Sequence, residues 1–126
     1  MKLLEGKVAL ITGAARGIGK GVALKFAEQG ADIAITDLAM DAVAEQTIKE
    51  LEAFGVKVKG YASNAADFEA AHNTVSQVAA DFGRIDILVN NAGITRDKLI
   101  LRMEEKDWDM VLNVNLKSAF NFTHAV

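Results

Sequence analysis

Cysteine and proline are both missing from the 126 residues, and histidine is confined to His72 and His124. Without cysteine there is neither a disulfide framework nor a thiolate metal site, and a reducing compartment fits the chain. Two histidines so far apart in sequence are too few and too isolated to suggest zinc, so no metal site is expected. Without proline, and with ten glycines that act as punctuation, there is no linker, low-complexity segment or domain boundary. Clustered positive charge is lacking too. The 14 basic residues are scattered and the net charge is −3, which leaves no electrostatic footprint for nucleic acid. No uninterrupted apolar run approaches membrane-spanning length. Met1 to Lys7 has neither an apolar core nor a small-residue cleavage site, so a soluble, cytoplasmic protein without membrane partners is expected.

What is present is enough for one core: 51% of residues are hydrophobic and 25% charged. The chain is organised around Thr12-Gly13-Ala14-Ala15-Arg16-Gly17-Ile18-Gly19, which follows the apolar run Val8-Ala9-Leu10-Ile11 and opens a segment of helical periodicity. A strand that delivers the chain to a glycine turn, followed by a helix whose first N–H groups point outward, is a cradle for phosphate.

Val8 to Thr12 has the form of a strand buried on both faces of a parallel sheet. Ile18, Val22, Ala23, Phe26 and Ala27 then predict a helix stopped by Gly30. A second strand, Ile33 to Thr36, ends at Asp37, and Ala44, Ile48 and Leu51 mark a second helix closed by Gly55. The third strand, Val56 to Ala62, carries lysines and should lie nearer an edge; Asp67 can cap the helix after it, with Phe68, Ala71, Val75, Val78 and Phe82 inward. Ile85 to Asn90 supplies a fourth strand that runs into Asn91-Ala92-Gly93. Short connections between alternating strands and helices demand right-handed crossovers, hence an α/β fold: the first half of a doubly wound parallel sheet of Rossmann type, with helices on both faces. A last helix from about Glu104 has the expected inward stripe Trp108, Val111, Leu112, Asn115, Ala119 and Phe122. An unpaired amide on that apolar line would cost about 1–3 kcal/mol, so Asn115 must find partners or a ligand.

The glycine turn lies between strand and helix, and Asp37 ends the second strand, where a carboxylate can accept bonds from an adenosine ribose. Those joint features point to dinucleotide binding; close helix–strand packing alone explains one of the three glycines Gly13, Gly17 and Gly19 better than all of them. The spacing Gly-x-x-x-Gly-x-Gly after Thr12, together with Asn90-Asn91-Ala92-Gly93 after the fourth strand, closely resembles the short-chain dehydrogenase/reductase family over essentially all of the chain. Within it, Gly93 to Asp97 and Trp108 to Asn115 are similar to bacterial 3-oxoacyl-(acyl-carrier-protein) reductases.

The resemblance implies that Gly13, Ala14, Ala15, Arg16, Gly17, Ile18 and Gly19 hold the pyrophosphate and adenosine ribose. It places Asn64 and Ala65 at the adenine, and the backbone of Asn91, Ala92 and Gly93 toward the cofactor at the strand's carboxyl end. Asn64 stands where many relatives have aspartate. Asn90 either serves the site or ties its loop to neighbouring backbone. Asn115 matches the asparagine of a tetrad completed by serine, tyrosine and lysine, and is implied to hold a water in a proton relay; the alternative is that it bonds a kinked helix backbone. The chain's one tyrosine, Tyr61, has Ala65 four positions on instead of the lysine that this motif requires.

Cofactor choice is contested. Arg16 can pair with a 2′-phosphate and the resemblance favours NADP(H), whereas Asp37 would bond a free 2′-hydroxyl and leaves NAD(H) open. Otherwise Arg16 is a solvent-exposed or interface arginine and Asp37 a cap on the next helix. The implied reaction is reduction of the 3-keto group of an acyl-carrier-protein thioester in fatty-acid synthesis. An acyl-CoA or another carbonyl is the alternative substrate, and a non-catalytic nucleotide-binding half-domain the alternative role. Arg96, Lys98 and Arg102 are candidates for carrier-protein docking. A homotetramer paired through the Asn115 helix is implied, with Phe120 and Phe122 on two of its faces. Because the helical pattern is still running at Val126, residues 1–126 are expected to be the nucleotide-binding part of a longer protein, interrupted before the remaining tetrad members.

Overall fold

In a computed structural model describing residues 1–126, β1 (Val8–Thr12), β2 (Asp32–Asp37), β3 (Val58–Ala62) and β4 (Ile87–Val89) form one sheet in the order β3-β2-β1-β4. All three pairings are parallel. The connecting helices are α1 (Gly17–Glu28), α2 (Ala42–Glu52) and α3 (Phe68–Phe82), and a last helical run comprises α4 (Glu105–Val111) and α5 (Ser118–Ala125). A π-helical segment, Leu112–Lys117, joins α4 to α5.

The period-two geometry of a strand sorts the core into two layers. Ala9 and Ile11 of β1, with Ile33 and Ile35 of β2, pack against Ala23 and Ala27 of α1 and Leu51 of α2. Leu10 and Ala34 point to the other face, where Ala71, Val75 and Val78 of α3 and Phe122 of α5 cover them. All five residues of β1 are buried, as a strand between two helix layers requires. The alanines on α1 let that helix lie close to the sheet.

Polar side chains fix where the helices start. The carboxylate of Asp41 accepts a bond from Ala44 N (3.0 Å), and that of Asp67 one from Ala70 N (3.1 Å), each serving as an N-cap. Gly83, at φ 81°, ends α3 in the left-handed conformation. The lysine-bearing β3 is an edge strand, as its sequence suggests. There Asp81 binds Lys59 Nζ (2.8 Å) and accepts the hydroxyl proton of Tyr61 (2.6 Å). Burial, followed by that bond to Asp81, pushes the Tyr61 phenol well above its usual range. Tyr61 is thus a packing residue with suppressed acidity.

Three expectations about buried stripes need correction. Ile18 is 81% exposed because it stands in the first turn of α1, past the carboxyl end of β1. Phe68, in the first turn of α3, is exposed beside His72 and Phe120. On the last helix, Phe122 is fully buried, but Trp108, Leu112 and Asn115 are exposed. The π segment adds a residue to the turn and shifts the helical phase, so one straight stripe cannot describe both of its ends. Phe120 is 58% exposed while Phe122 belongs to the chain's own core, so only Phe120 of this pair is open to a neighbour.

Asp86 staples β4's entry to β1. It accepts bonds from Val8 N (2.9 Å) and from Arg84 Nη2 (2.6 Å), and the Arg84 bond, then the Val8 bond, hold its carboxyl below the usual range. A carboxyl whose folded pKa is depressed stabilises the fold above its unfolded pKa, about 3.9, and that contribution disappears as the pH falls through the folded value. Denaturant midpoints measured from pH 5 downward should therefore fall more steeply for the parent protein than for Asp86→Asn.

Candidate functional site

The site begins at the carboxyl end of β1, where the chain turns from strand to helix within contact distance of the β4 loop. Thr12 makes this possible. Its hydroxyl oxygen accepts the backbone N–H groups of Asn91 and Ala92, both at 3.0 Å, and its proton points to Val89 O at 3.4 Å. In return, the Asn91 amide donates to Thr12 O (3.1 Å) and Gly13 O (3.0 Å). The two strand ends are thereby locked to each other by five bonds, on groups that water would otherwise satisfy.

The three glycines of the turn answer to different constraints. Gly13 has φ 63°, and a Cβ there would lie 2.9 Å from Ala92 Cα. Gly17 also has φ 63° but open space around it, so backbone conformation alone requires glycine. A Cβ on Gly19 would run into the Asn91 amide and lie 2.6 Å from Gly13 O. Packing therefore accounts for Gly13 and Gly19, and a left-handed turn for Gly17.

After that turn, α1 starts with Arg16 at the N-cap and no side-chain cap, unlike α2 and α3. The first intrahelical bond of this turn is Lys20 N to Arg16 O, so Gly17, Ile18 and Gly19 carry N–H groups with no intrahelical acceptor. Ala14 and Ala15 are fully buried; their N–H groups go to Thr36 O (3.1 Å) and to the Asp37 carboxylate (3.2 Å). The Ala15 carbonyl accepts the Thr47 hydroxyl (2.6 Å), which docks α2 on the turn. These two alanines shape the turn from behind, while Gly13, Arg16 and Ile18 line its open side.

That open side is one wall of a cleft of about 620 Å³ at the carboxyl ends of the strands. Thr36, Asp37 and Leu38 continue it from β2, Ser63 to Ala66 from β3, and Asn91 to Ile94 from β4. Arg96, Met110, Asn113 and Val114 close the far side. Of the residues expected at the cofactor, Gly13, Arg16, Ile18, Asp37, Asn64, Ala65, Asn91, Ala92 and Gly93 line this cleft, whereas Ala14, Ala15, Gly17, Gly19 and Asn115 do not. Thr36, Leu38, Ser63, Ala66, Ile94, Met110, Asn113 and Val114 join the lining residues with no spacing signal of their own, and Arg96, expected at carrier-protein docking, lines the cleft as well.

Asp37 is oriented by the two N–H groups of Ala15 (3.2 Å) and Leu38 (2.9 Å), and it does not cap α2, a role that falls to Asp41. Arg16 is paired with Asp41 (3.2 Å) in an exposed ion pair. The Ala44 N–H, and then Arg16, keep the Asp41 carboxyl below its usual range. Asn64 uses its side-chain oxygen to accept Ala66 N (3.0 Å), which leaves its NH₂ group on the cleft rim. Ala65 O accepts the fully buried amide of Asn121 (3.0 Å), anchoring this loop to α5.

Asn115 faces Ile94 across the entrance to the π segment. Its Oδ1 accepts Ile94 N (2.6 Å) and its Nδ2 donates to Ile94 O (2.9 Å), so the amide holds both backbone groups of one residue. Asn90 donates instead to the Thr123 hydroxyl (3.1 Å), tying the β4 loop to a side chain of α5 and not to backbone. Of the basic residues proposed for docking, Lys98 is engaged with the nearly buried Asp107 (2.9 Å) and Arg96 lies against the Met110 sulfur (3.1 Å).

A parallel sheet with uncapped helix N–H groups, an acidic β2 terminus and a crevice between β1 and β4 defines a protein of the doubly wound α/β class, a fold that receives dinucleotides at such a crevice. The family pattern described as short chain dehydrogenase matches residues 7–126, and the chain belongs to that family. It is 50% identical over 123 residues to a Thermotoga maritima protein named 3-oxoacyl-(acyl-carrier-protein) reductase FabG, covering 98% of this chain and 50% of the relative. Two solved structures are similar to it. One is a short chain dehydrogenase from Burkholderia cenocepacia in complex with NADP (TM-score 0.93, 40% identity, 97% of this chain and 50% of that one). The other is an NAD⁺-bound xylitol dehydrogenase (TM-score 0.94, 36% identity, 99% and 48%). The chain therefore spans about half the length of the relatives that it matches.

The clamp and the glycines give separable expectations. Thr12→Val should destabilise the fold by about 1–3 kcal/mol, because two N–H groups lose their acceptor, whereas Thr12→Ser should retain most of the stability in urea unfolding. Gly17→Ala should cost about 1–2 kcal/mol through its left-handed backbone, and Gly17→Asn less, since asparagine tolerates that region. At Gly19 the obstacle is space, so asparagine should be no better tolerated than alanine.

Proposed function

We propose that this chain is the cofactor-binding part of an oxidoreductase that reduces the 3-keto group of an acyl-carrier-protein thioester in fatty-acid synthesis. The observation that carries the reading is the cleft itself, in which the uncapped start of α1, Asp37 and the β4 loop face one space. The name of the Thermotoga maritima relative supports the thioester substrate.

The residues present fit a nicotinamide dinucleotide. Gly17, Ile18 and Gly19 would give their N–H groups to the pyrophosphate, in the positive field of the α1 terminus. Asp37 would accept from the adenosine ribose. Asn64 would offer its NH₂ group to the adenine edge beside Ala65. The Asn91 to Gly93 backbone, held by Thr12, would form the wall toward the nicotinamide. A bound nicotinamide supplies or accepts the hydride at the carbonyl carbon. Asn115 acts in this scheme as a positioning residue: it fixes the Ile94 peptide and the widened turn beside it, where a relay water would be held. The proton donor is assigned to the tyrosine that the family motif requires, and Tyr61, bonded to Asp81 outside the cleft, does not serve.

Asp37 supports NAD(H) over the NADP(H) that family resemblance favours. Its carboxylate is held in place by two backbone donors, and the nearest candidate phosphate partner, Arg16, already has Asp41. A 2′-phosphate would have to approach a fixed negative charge. Exposed Trp108, Leu112, Leu116 and Phe120, four residues apart along the last helix, support association into a homotetramer through that helix.

Initial rates of the whole oxidoreductase that contains this chain, with an acetoacetyl thioester and each reduced cofactor, test this reading. NADH should be preferred, and Asp37→Ala should move the ratio of kcat/KM values toward NADPH by about tenfold or more, a change of about 1.4 kcal/mol. A parent protein that prefers NADPH would overturn the cofactor assignment, and inactivity on 3-oxoacyl thioesters with either cofactor would overturn the substrate assignment.

A further inference from the structure

The two histidines of the chain, 52 positions apart, meet on the surface between α3 and α5, with His72 Nε2 2.9 Å from His124 Nδ1. The pair is not among the residues that line the nucleotide cleft. His72 Nδ1 lies 2.9 Å from Phe68 O, and since a carbonyl only accepts, that nitrogen carries the proton. His72 Nε2 therefore presents a lone pair, and in the present arrangement His124 Nδ1–H donates to it. The rings are flanked by aromatic side chains: Phe68 lies 4.1 Å from the His72 ring and 5.5 Å from the His124 ring, and Phe120 lies 5.6 Å from His124, centroid to centroid.

We propose that His72 and His124 form a two-histidine site for a divalent transition-metal ion of the zinc class, bridging α3 and α5. The geometry points there for three reasons. At zinc–nitrogen distances of about 2.0–2.1 Å, two nitrogens sharing one ion lie about 2.9–3.4 Å apart for angles between square and tetrahedral, and the observed separation falls at the lower end of that span. The bond from His72 Nδ1–H to a backbone carbonyl is the outer contact that fixes the tautomer of a metal-binding imidazole. Phe68, 4.1 Å from the His72 ring, restricts that ring, which reduces the ordering cost of bringing it onto an ion. His124 is exposed near the end of α5, so its ring can turn to aim Nδ1 at the ion. Binding moves the His124 proton from Nδ1 to the solvent-facing Nε2, both ligands stay neutral, and water completes the coordination shell. No group of three or more histidine, cysteine or acidic residues with metal-binding geometry is present, so a two-ligand, open site of moderate affinity is expected.

Calorimetric titration of the purified, tag-free protein with Zn²⁺, and separately Ni²⁺, tests the assignment. One ion should bind per chain with a micromolar-range Kd, and Tm should rise with metal concentration. His124→Gln and His72→Gln should each weaken binding at least tenfold and abolish the Tm rise, with Tm in chelator close to that of the parent. If neither ion binds, or if the two variants bind as the parent does, the pair is only a hydrogen bond between helices and the proposal fails. Should a variant prove unfolded, metal-induced shifts of the His72 and His124 imidazole resonances in the parent decide the question: shifts confined to those two rings support the site, and their absence overturns it.

Discussion

The placement of the cleft depends on the reciprocal clamp between Thr12 and Asn91. The β1 turn and the β4 loop lie far apart in the sequence, Thr12 and Asn91 being 79 positions from each other, and each contains backbone groups that neither strand nor helix satisfies. A hydroxyl that accepts two N–H groups and an amide that donates to two carbonyls resolve this together. The clamp brings the two loops close enough to exclude a Cβ at Gly13 and Gly19. Composition of the turn, its separation from β4 and the shape of the crevice are one constraint seen from three sides.

From this clamp outward, charge is distributed to leave α1 open. Asp41 and Asp67 cap the next two helices, but the position before α1 holds Arg16, which turns away to pair with Asp41. Asp37, which from its place at the strand end might have capped α2, instead gathers the N–H groups of Ala15 and Leu38. The buried polar groups of the turn are satisfied internally by Thr36, Asp37 and Thr47. Among the residues whose N–H groups lack intrahelical acceptors, Ile18 stands on the cleft wall, where an anion is best stabilised.

Much of this was legible in the sequence because local and tertiary demands coincide. Apolar runs for β1 and β2, Asp67 as a cap and Gly83 as a stop each record a short-range requirement, and the structure has them where the pattern puts them. Asp37 and Asn91 to Gly93 were recognisable because they sit at strand ends. The last helix was less legible. A periodicity argument assumes a constant turn, and the π segment breaks that assumption at Leu112–Lys117. Asn115 is exposed and not on a buried line, and its pairing with Ile94 is a long-range fact that spacing does not encode. The same holds for His72 and His124, isolated along the chain and adjacent in space.

The strand order has a consequence of its own. Because β2 and β3 are laid down on one side of β1 and β4 on the other, the chain must diverge at the top of β1, and the gap left between the departing connections is a product of connectivity. Strand order decides where it opens, and the Thr12–Asn91 clamp decides how near its two walls come. Substitutions along its walls can alter which molecule is welcomed while the opening stays where it is. A fold of this kind separates the question of where to bind from the question of what to bind, and the second can drift under selection without endangering the first.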